Sequence, residues 1–121
     1  MPLKHWEAFF IFHTMNIESI RDFALSFEGV NEGFPFGESV LVFKVKAKIF
    51  LLLPLDEYQL QFNVKCLPEK AIELREEYPY SVLPGYHMNK KHWNTIVVDG
   101  RISDKQIKEM IMDSYTLVKG K

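Results

Sequence analysis

Gln59-Leu60-Gln61-Phe62-Asn63-Val64-Lys65-Cys66 alternates polar and apolar side chains without a break. A strand turns successive side chains to opposite faces. Leu60, Phe62, Val64 and Cys66 therefore share one face, and Gln59, Gln61, Asn63 and Lys65 share the other. The first face is built for burial. The second must be wet or engaged by a polar partner. Such a strand belongs to an antiparallel sheet covered on one side, and the rest of the chain has to supply the cover.

Upstream, Ser39 to Leu53 reads as two strands. Leu41, Phe43 and Val45 point one way, Lys44 and Lys46 the other. A turn at Lys46-Ala47 joins them into a hairpin, although it lacks the glycine such turns favour. Ile49 to Leu53 is the more fully apolar strand. Before the hairpin, Asn16 caps a helix predicted over Ile17 to Glu28, with Ile17, Ile20, Ala24 and Phe27 at helical spacing and Gly29 as its C′ residue. Asn31 to Gly37 reads as a loop whose Phe34 and Phe36 tuck onto the core.

Downstream, Pro68 suits the first turn of a helix that runs to about Glu77 and stops near Pro79. Ser81 to Lys91 reads as irregular, with a turn at Pro84-Gly85. Trp93 to Val98 is rich in strand formers. Ser103 and Gln106 form a capping-box pattern ahead of a last helix. Ile107, Met110, Ile111, Ser114 and Val118 trace its buried face, and Met110 and Met112 are expected as core filler. The predicted order is α-β-β-β-α-β-α, an α+β fold with helices packed on an antiparallel sheet.

With 121 residues, 47% hydrophobic and 26% charged, the chain is long enough for one domain with a full core, and its composition is not that of a disordered segment. Residues 15–121 are expected to be that domain. Met1 to Thr14 reads as an upstream extension, with Met15 as the alternative start. An extra helical turn packed through Trp6, Phe9 and Phe10 is the competing reading. The single cysteine, Cys66, excludes an internal disulfide and suits a cytoplasmic setting. No apolar run approaches the roughly 18 residues of a membrane span. Oligomeric state is left open, a monomer included.

Fifteen basic and sixteen acidic side chains exclude a bulk polycation, but their distribution is uneven. Residues 1–38 hold two basic groups against six acidic ones, and residues 84–121 hold seven against four. Lys44, Lys46 and Lys48 have no acidic neighbour between Ser39 and Leu53, and Pro84 to Val98 also lacks acid. Two acid-free segments can form one positive surface. The structural alternative is that these lysines only solubilise an exposed sheet and its hairpin.

Pro84-Gly85-Tyr86-His87-Met88-Asn89-Lys90-Lys91-His92-Trp93-Asn94-Thr95 is the densest polar-aromatic stretch. Lysines suit phosphates, aromatics suit stacking, and amides suit hydrogen bonding to an anionic or nucleic-acid partner. In the structural alternative Trp93 is core, and Asn89 and Asn94 fix the loop backbone.

Gly85 to Thr95 closely resembles the signature of the MmcQ/YjbR family of small bacterial proteins. Phe34-Pro35-Phe36-Gly37, Val42-Phe43-Lys44-Val45 and Asn63-Val64-Lys65-Cys66 match its other landmarks in order. The resemblance spans about Met15 to Lys119. It implies a frataxin-like (CyaY-like) α+β fold and a double-wing DNA-binding arrangement. The glycine pair often seen at the first hairpin is Lys46-Ala47 here, and Met1 to Thr14 has no counterpart. Carried over residue by residue, the implied DNA contacts are Lys44, Lys46, Lys48, Lys65, His87, Asn89, Lys90, Lys91, His92 and Trp93.

Other chemistries are less well supplied. His87 and His92 match no standard metal-ligand spacing, and Cys66 has no companion cysteine. Glu18, Asp22, Glu28 and Glu32 could form an acidic ridge of the kind that holds iron in frataxin-like folds, although most such runs are solvated. His87, His92 or Lys90 could serve as a base and Tyr86 as a hydroxyl, but no nucleophile motif or phosphate-loop fingerprint accompanies them. The expectation is a non-enzymatic DNA-binding domain without cofactor or metal. The alternative is a module that binds a protein partner or a small anionic ligand through the same surface.

Overall fold

A computed structural model describes residues 15–120. The reading of Met1 to Thr14, with its Trp6, Phe9 and Phe10, lies outside the described residues. The elements follow in the order α1 (Ile17–Leu25), β1 (Val30–Gly33), β2 (Val40–Val45), β3 (Lys48–Pro54), β4 (Gln61–Lys65), α2 (Pro68–Glu77), β5 (Val82–Pro84), β6 (Trp93–Val97) and α3 (Asp104–Lys119). The six strands make one sheet in the order β1-β2-β3-β4-β6-β5, antiparallel throughout. The α+β layout is as expected, with two more strands than the sequence suggested.

The strand register sorts the side chains. Cross-strand partners point to the same side. Leu41 pairs with Leu53, Phe43 with Leu51, Leu51 with Val64 and Phe62 with Ile96, all within the buried core. The helices complete the core on this side. Ile20 and Ala24 come from α1, and Ile107, Met110, Ile111 and Val118 come from α3. A register shift between Phe43 and Lys44 lets Phe50 and Leu51 both be fully buried. A bulge of this kind also increases the local twist of the hairpin.

Ser114 joins helix to sheet. Its hydroxyl donates to Phe50 O at 2.6 Å and accepts from the Lys65 N–H at 2.9 Å. The buried hydroxyl is thereby satisfied, and α3 is pinned across β3 and β4. Tyr115 reaches the other way. Its ring stacks on Phe27 at 4.6 Å, and its hydroxyl donates to Glu28 O.

The departures from expectation have local causes. Helix α1 stops at Leu25, where the Ser26 hydroxyl caps Phe23 O, and Gly29 at φ +78° turns the chain into β1. β1 and β5 are short edge strands, too brief to show alternation. Pro84 is acceptable in β5 because the edge needs no further donor there. Phe34 and Phe36 do not tuck inward, since they are 50% and 65% exposed. Met110 is buried as expected, but Met112 is on the solvent side of α3. Among the described residues no helix is long and apolar enough to cross a membrane.

At the hairpin tip, Lys46 and Ala47 have φ of 51° and 65°, the pattern of a type I′ turn. A left-handed non-glycine residue costs about 1–2 kcal/mol, whereas glycine's extra freedom when unfolded costs about 0.5–1 kcal/mol. The first term wins. Ala47→Gly is therefore expected to stabilise the domain by about 0.5–1 kcal/mol in urea unfolding. A destabilised variant would show that the turn is not strained.

Candidate nucleic-acid interface

β2 ends and β3 begins at the Lys46-Ala47 tip. Leu51 pairs with Val64 and Leu52 with Asn63, so Lys65 closes β4 at that same end of the sheet. Lys65 in turn pairs with Trp93, the first residue of β6, and Pro84 at the end of β5 pairs with Asn94. The hairpin tip, Lys65 and the loop 85–92 therefore share one end of the sheet. Strands are about 4.8 Å apart, which puts β3 and β6 roughly 10 Å from each other.

The register also assigns faces. Lys44 pairs with Asn31 and Ile49, and Lys65 with Trp93, all on the side opposite the helices. Val42, Leu52, Asn63 and Thr95 lie on this side too and are buried at its centre. Lys44, Lys65 and Trp93 are half-buried towards the end of the sheet, and Lys46, Lys48, His87, Asn89, Lys90 and Lys91 are exposed. His92 is half-buried. Trp93 is thus not core, as the structural alternative required. Neither ion pair among the described residues, Arg21–Glu32 and Arg101–Asp99, involves Lys44, Lys48, Lys65, Lys90 or Lys91.

The loop is held by hydrogen bonds that the sequence did not announce. Arg75 on α2 donates through Nε to Asn94 Oδ1 at 2.7 Å and through Nη2 to Trp93 O at 3.2 Å and to Lys90 O. The planar fork suits several acceptors at once. Nothing in the local pattern of α2 marked this arginine. Asn89 does what the structural alternative proposed for it. Its Oδ1 accepts from the Lys91 N–H at 3.0 Å, and its backbone oxygen accepts from the N–H groups of His92 and Trp93. The Cys66 N–H donates to His92 O at 2.7 Å, which ties the loop to the end of β4.

Asn63, assigned to the wet face, is 7% exposed. The Thr95 hydroxyl donates to Asn63 Oδ1 and accepts from the Tyr86 N–H at 3.0 Å. This short relay fixes the start of the loop to the polar side of the sheet. Beyond it His87, at φ 59°, sets its ring 3.9 Å from that of Tyr86. The turn lies after Gly85 rather than at Pro84-Gly85, for Gly85 still pairs with Trp93 and the Met88 N–H closes on Gly85 O.

Among the described residues no three His, Cys, Asp or Glu side chains gather as a metal site. Glu32 of the acidic run is held by Arg21 in a two-pronged pair. Burial pushes the Cys66 thiol up, and Asp113 adds to the effect, so its reactive thiolate form is disfavoured.

A Cβ on Gly85 would meet the Trp93 Cβ at 2.7 Å and the Trp93 O at 2.9 Å. Neither backbone atom nor Cβ can swing aside. Gly85→Ala is expected to cost roughly 1–3 kcal/mol, as other overpacked substitutions do. The check is urea unfolding, together with the amide shifts of Trp93 and Thr95. An unperturbed variant would mean that the loop tolerates a wider gap.

Comparisons with known proteins agree with this architecture. The family model described as YjbR matches residues 25–117. The chain is 38% identical over 101 residues to the uncharacterized protein YbdF of Escherichia coli O157:H7, covering 84% of this chain and 82% of that one. It is 28% identical to the uncharacterized protein YjbR of Escherichia coli K12, covering 84% and 85%. The crystal structure of Deinococcus radiodurans DR2400, described as a DUF419 domain, superposes with a TM-score of 0.83 at 35% identity, over 91% of this chain and 81% of that one. A Pseudomonas syringae protein gives a TM-score of 0.71 at 27% identity, over 86% and 99%. The signature loop anchored by Arg75 and Gly85 and the hairpin ahead of it both lie within the matched span, and the chain belongs to the YjbR family.

Proposed function

We propose that this chain is a non-enzymatic DNA-binding domain that grips duplex phosphates with the end of its sheet. Two features support the reading: the acid-free hairpin and the acid-free signature loop lie at the same sheet end, although more than thirty residues of chain separate them. Lys44 and Lys65 supply one flank with Lys46 at the hairpin tip, Lys90 and Lys91 supply the other, and Lys48, paired with Val45 of the core, stands on the helix side of the tip. The β2–β3 hairpin and the β5–β6 loop then act as two wings set about β4. Their separation of roughly 10 Å is comparable to the ~12 Å width of the major groove. His87 and His92 add donors. Asn89 holds the loop in shape, and Trp93 packs beside Lys65 as an apolar anchor for the sugar-phosphate backbone. Asp113 approaches from the helix side, where it lies beside Cys66.

Such a grip is electrostatic, so affinity falls steeply with salt. The test is fluorescence anisotropy with a short labelled duplex across a salt series. Lys90→Glu/Lys91→Glu is expected to bind at least about tenfold more weakly, and its log–log salt slope is expected to be shallower by about two, one unit per phosphate contact. Unchanged affinity and slope in a folded variant would overturn the reading. So would thermal stabilisation by a small anion without any duplex binding.

A further inference from the structure

Asn94 begins as a puzzle of hydrogen bonding. It is 1% exposed, on the core side of β6 beside Val64. The Arg75 Nε–H needs an acceptor, which fixes Asn94 Oδ1 towards it and turns the amide nitrogen away. Asn94 Nδ2 has no hydrogen-bond partner among the described residues. A buried donor left unpaired is costly, and most are satisfied. Asn94 lines a cleft of about 370 Å³ between α2, α3 and the floor of β4 and β6. That size is within the ~300–1,000 Å³ usual for small-ligand sites.

The walls are apolar: Val64 and Ile96 from the floor, Leu74 from α2, and Met110 and Leu117 from α3. Cys66, whose thiol burial pushes up, lines it too, as do Leu67, Thr116, Lys65, Lys70 and Asp113. Charge stands at the cleft wall, in Lys65, Lys70 and Asp113, and behind the donor, in Arg75. The hydrogen-bond partners of Arg75 are Asn94 Oδ1, Lys90 O and Trp93 O, all neutral, and neither ion pair of the described residues includes it. A guanidinium on Oδ1 polarises the amide and strengthens Nδ2 as a donor. An acceptor is wanted at this point, and a negative one most of all. A phosphate would bring more charge than one amide donor can meet, with Asp113 also at the cleft.

We propose that the cleft binds a small monocarboxylate with an apolar body. Its carboxylate accepts from Asn94 Nδ2, and its alkyl or aryl part lies along Leu74, Met110 and Leu117. The cleft lies between the helices and the sheet and borders the proposed DNA-gripping end, since Lys65 also lines it.

The probe is octanoate, titrated into the isotope-labelled full chain and followed by NMR, with octylamine as the cation of equal length. Octanoate is expected to give saturable shifts at the Asn94 side-chain amide and the methyls of Leu74 and Leu117, and octylamine none. Asn94→Asp keeps an acceptor for Arg75 but removes the donor, and is expected to weaken octanoate binding at least about tenfold, the loss of one charge-assisted hydrogen bond. Leu117→Trp, at a position 37% exposed, fills the cleft and is expected to abolish binding. This second variant decides the matter if Asn94→Asp does not fold. The proposal fails if no saturable shift appears by about 10 mM, the weak end of measurable affinity. It also fails if octylamine shifts the same residues equally, or if binding survives in a folded variant.

Discussion

One guanidinium organises the candidate-interface half of this domain. Arg75 sits at the end of α2, away from the signature loop in sequence, yet it binds three oxygens that belong to the loop or to the first residues of β6. A half-buried cation with neutral acceptors only is held by dipoles, and every one of those dipoles is backbone or amide whose position it fixes in return. Where Lys90, Trp93 and Asn94 sit therefore depends on where α2 sits. α2 is placed by Leu74 and Ala71 against the core, and its entry is set by Pro68. The chain of dependence runs from helix to arginine to loop.

The same arginine separates two chemistries. On the outer end of the sheet it holds the backbone of Lys90, whose Nζ donates back to Gly85 O at 3.3 Å, and Lys91 is exposed on the same fixed loop. On the helix side it polarises Asn94 at the floor of an apolar cleft. Removal of acid from the strand ends concentrates positive potential at one place on a chain whose net charge is −1. Composition alone conceals that, because the compensating carboxylates lie on all three helices, on β1 and in other loops.

Legibility in the sequence followed the length of the pattern. β4 and the face of α3 were readable because five or more residues repeat one period, and Asn16 and Ser103 announced their helices by capping chemistry. β1 and β5 were not readable, since Val30–Gly33 and Val82–Pro84 are shorter than the window in which alternation can be told from chance. Lysine positions were visible as an absence of acid, but their meeting at one sheet end depends on register, which is a long-range property. Asn63 and Arg75 escaped for a related reason. A polar residue's partner across the fold, Thr95 for one and Asn94 for the other, leaves no local trace. Gly85 looked like a turn residue, whereas its role is to let the backbone approach Trp93.

Native-state hydrogen exchange on Arg75→Ala tests the organising role of the guanidinium most directly. The amides of Gly85, Trp93 and Cys66, whose bonds close the loop, are expected to lose protection by about tenfold or more, while those in β2 and β3 keep theirs, as local opening without global unfolding requires. Uniform loss across the sheet, or full protection of the loop, would contradict the account, for then the loop would owe its shape to something other than Arg75.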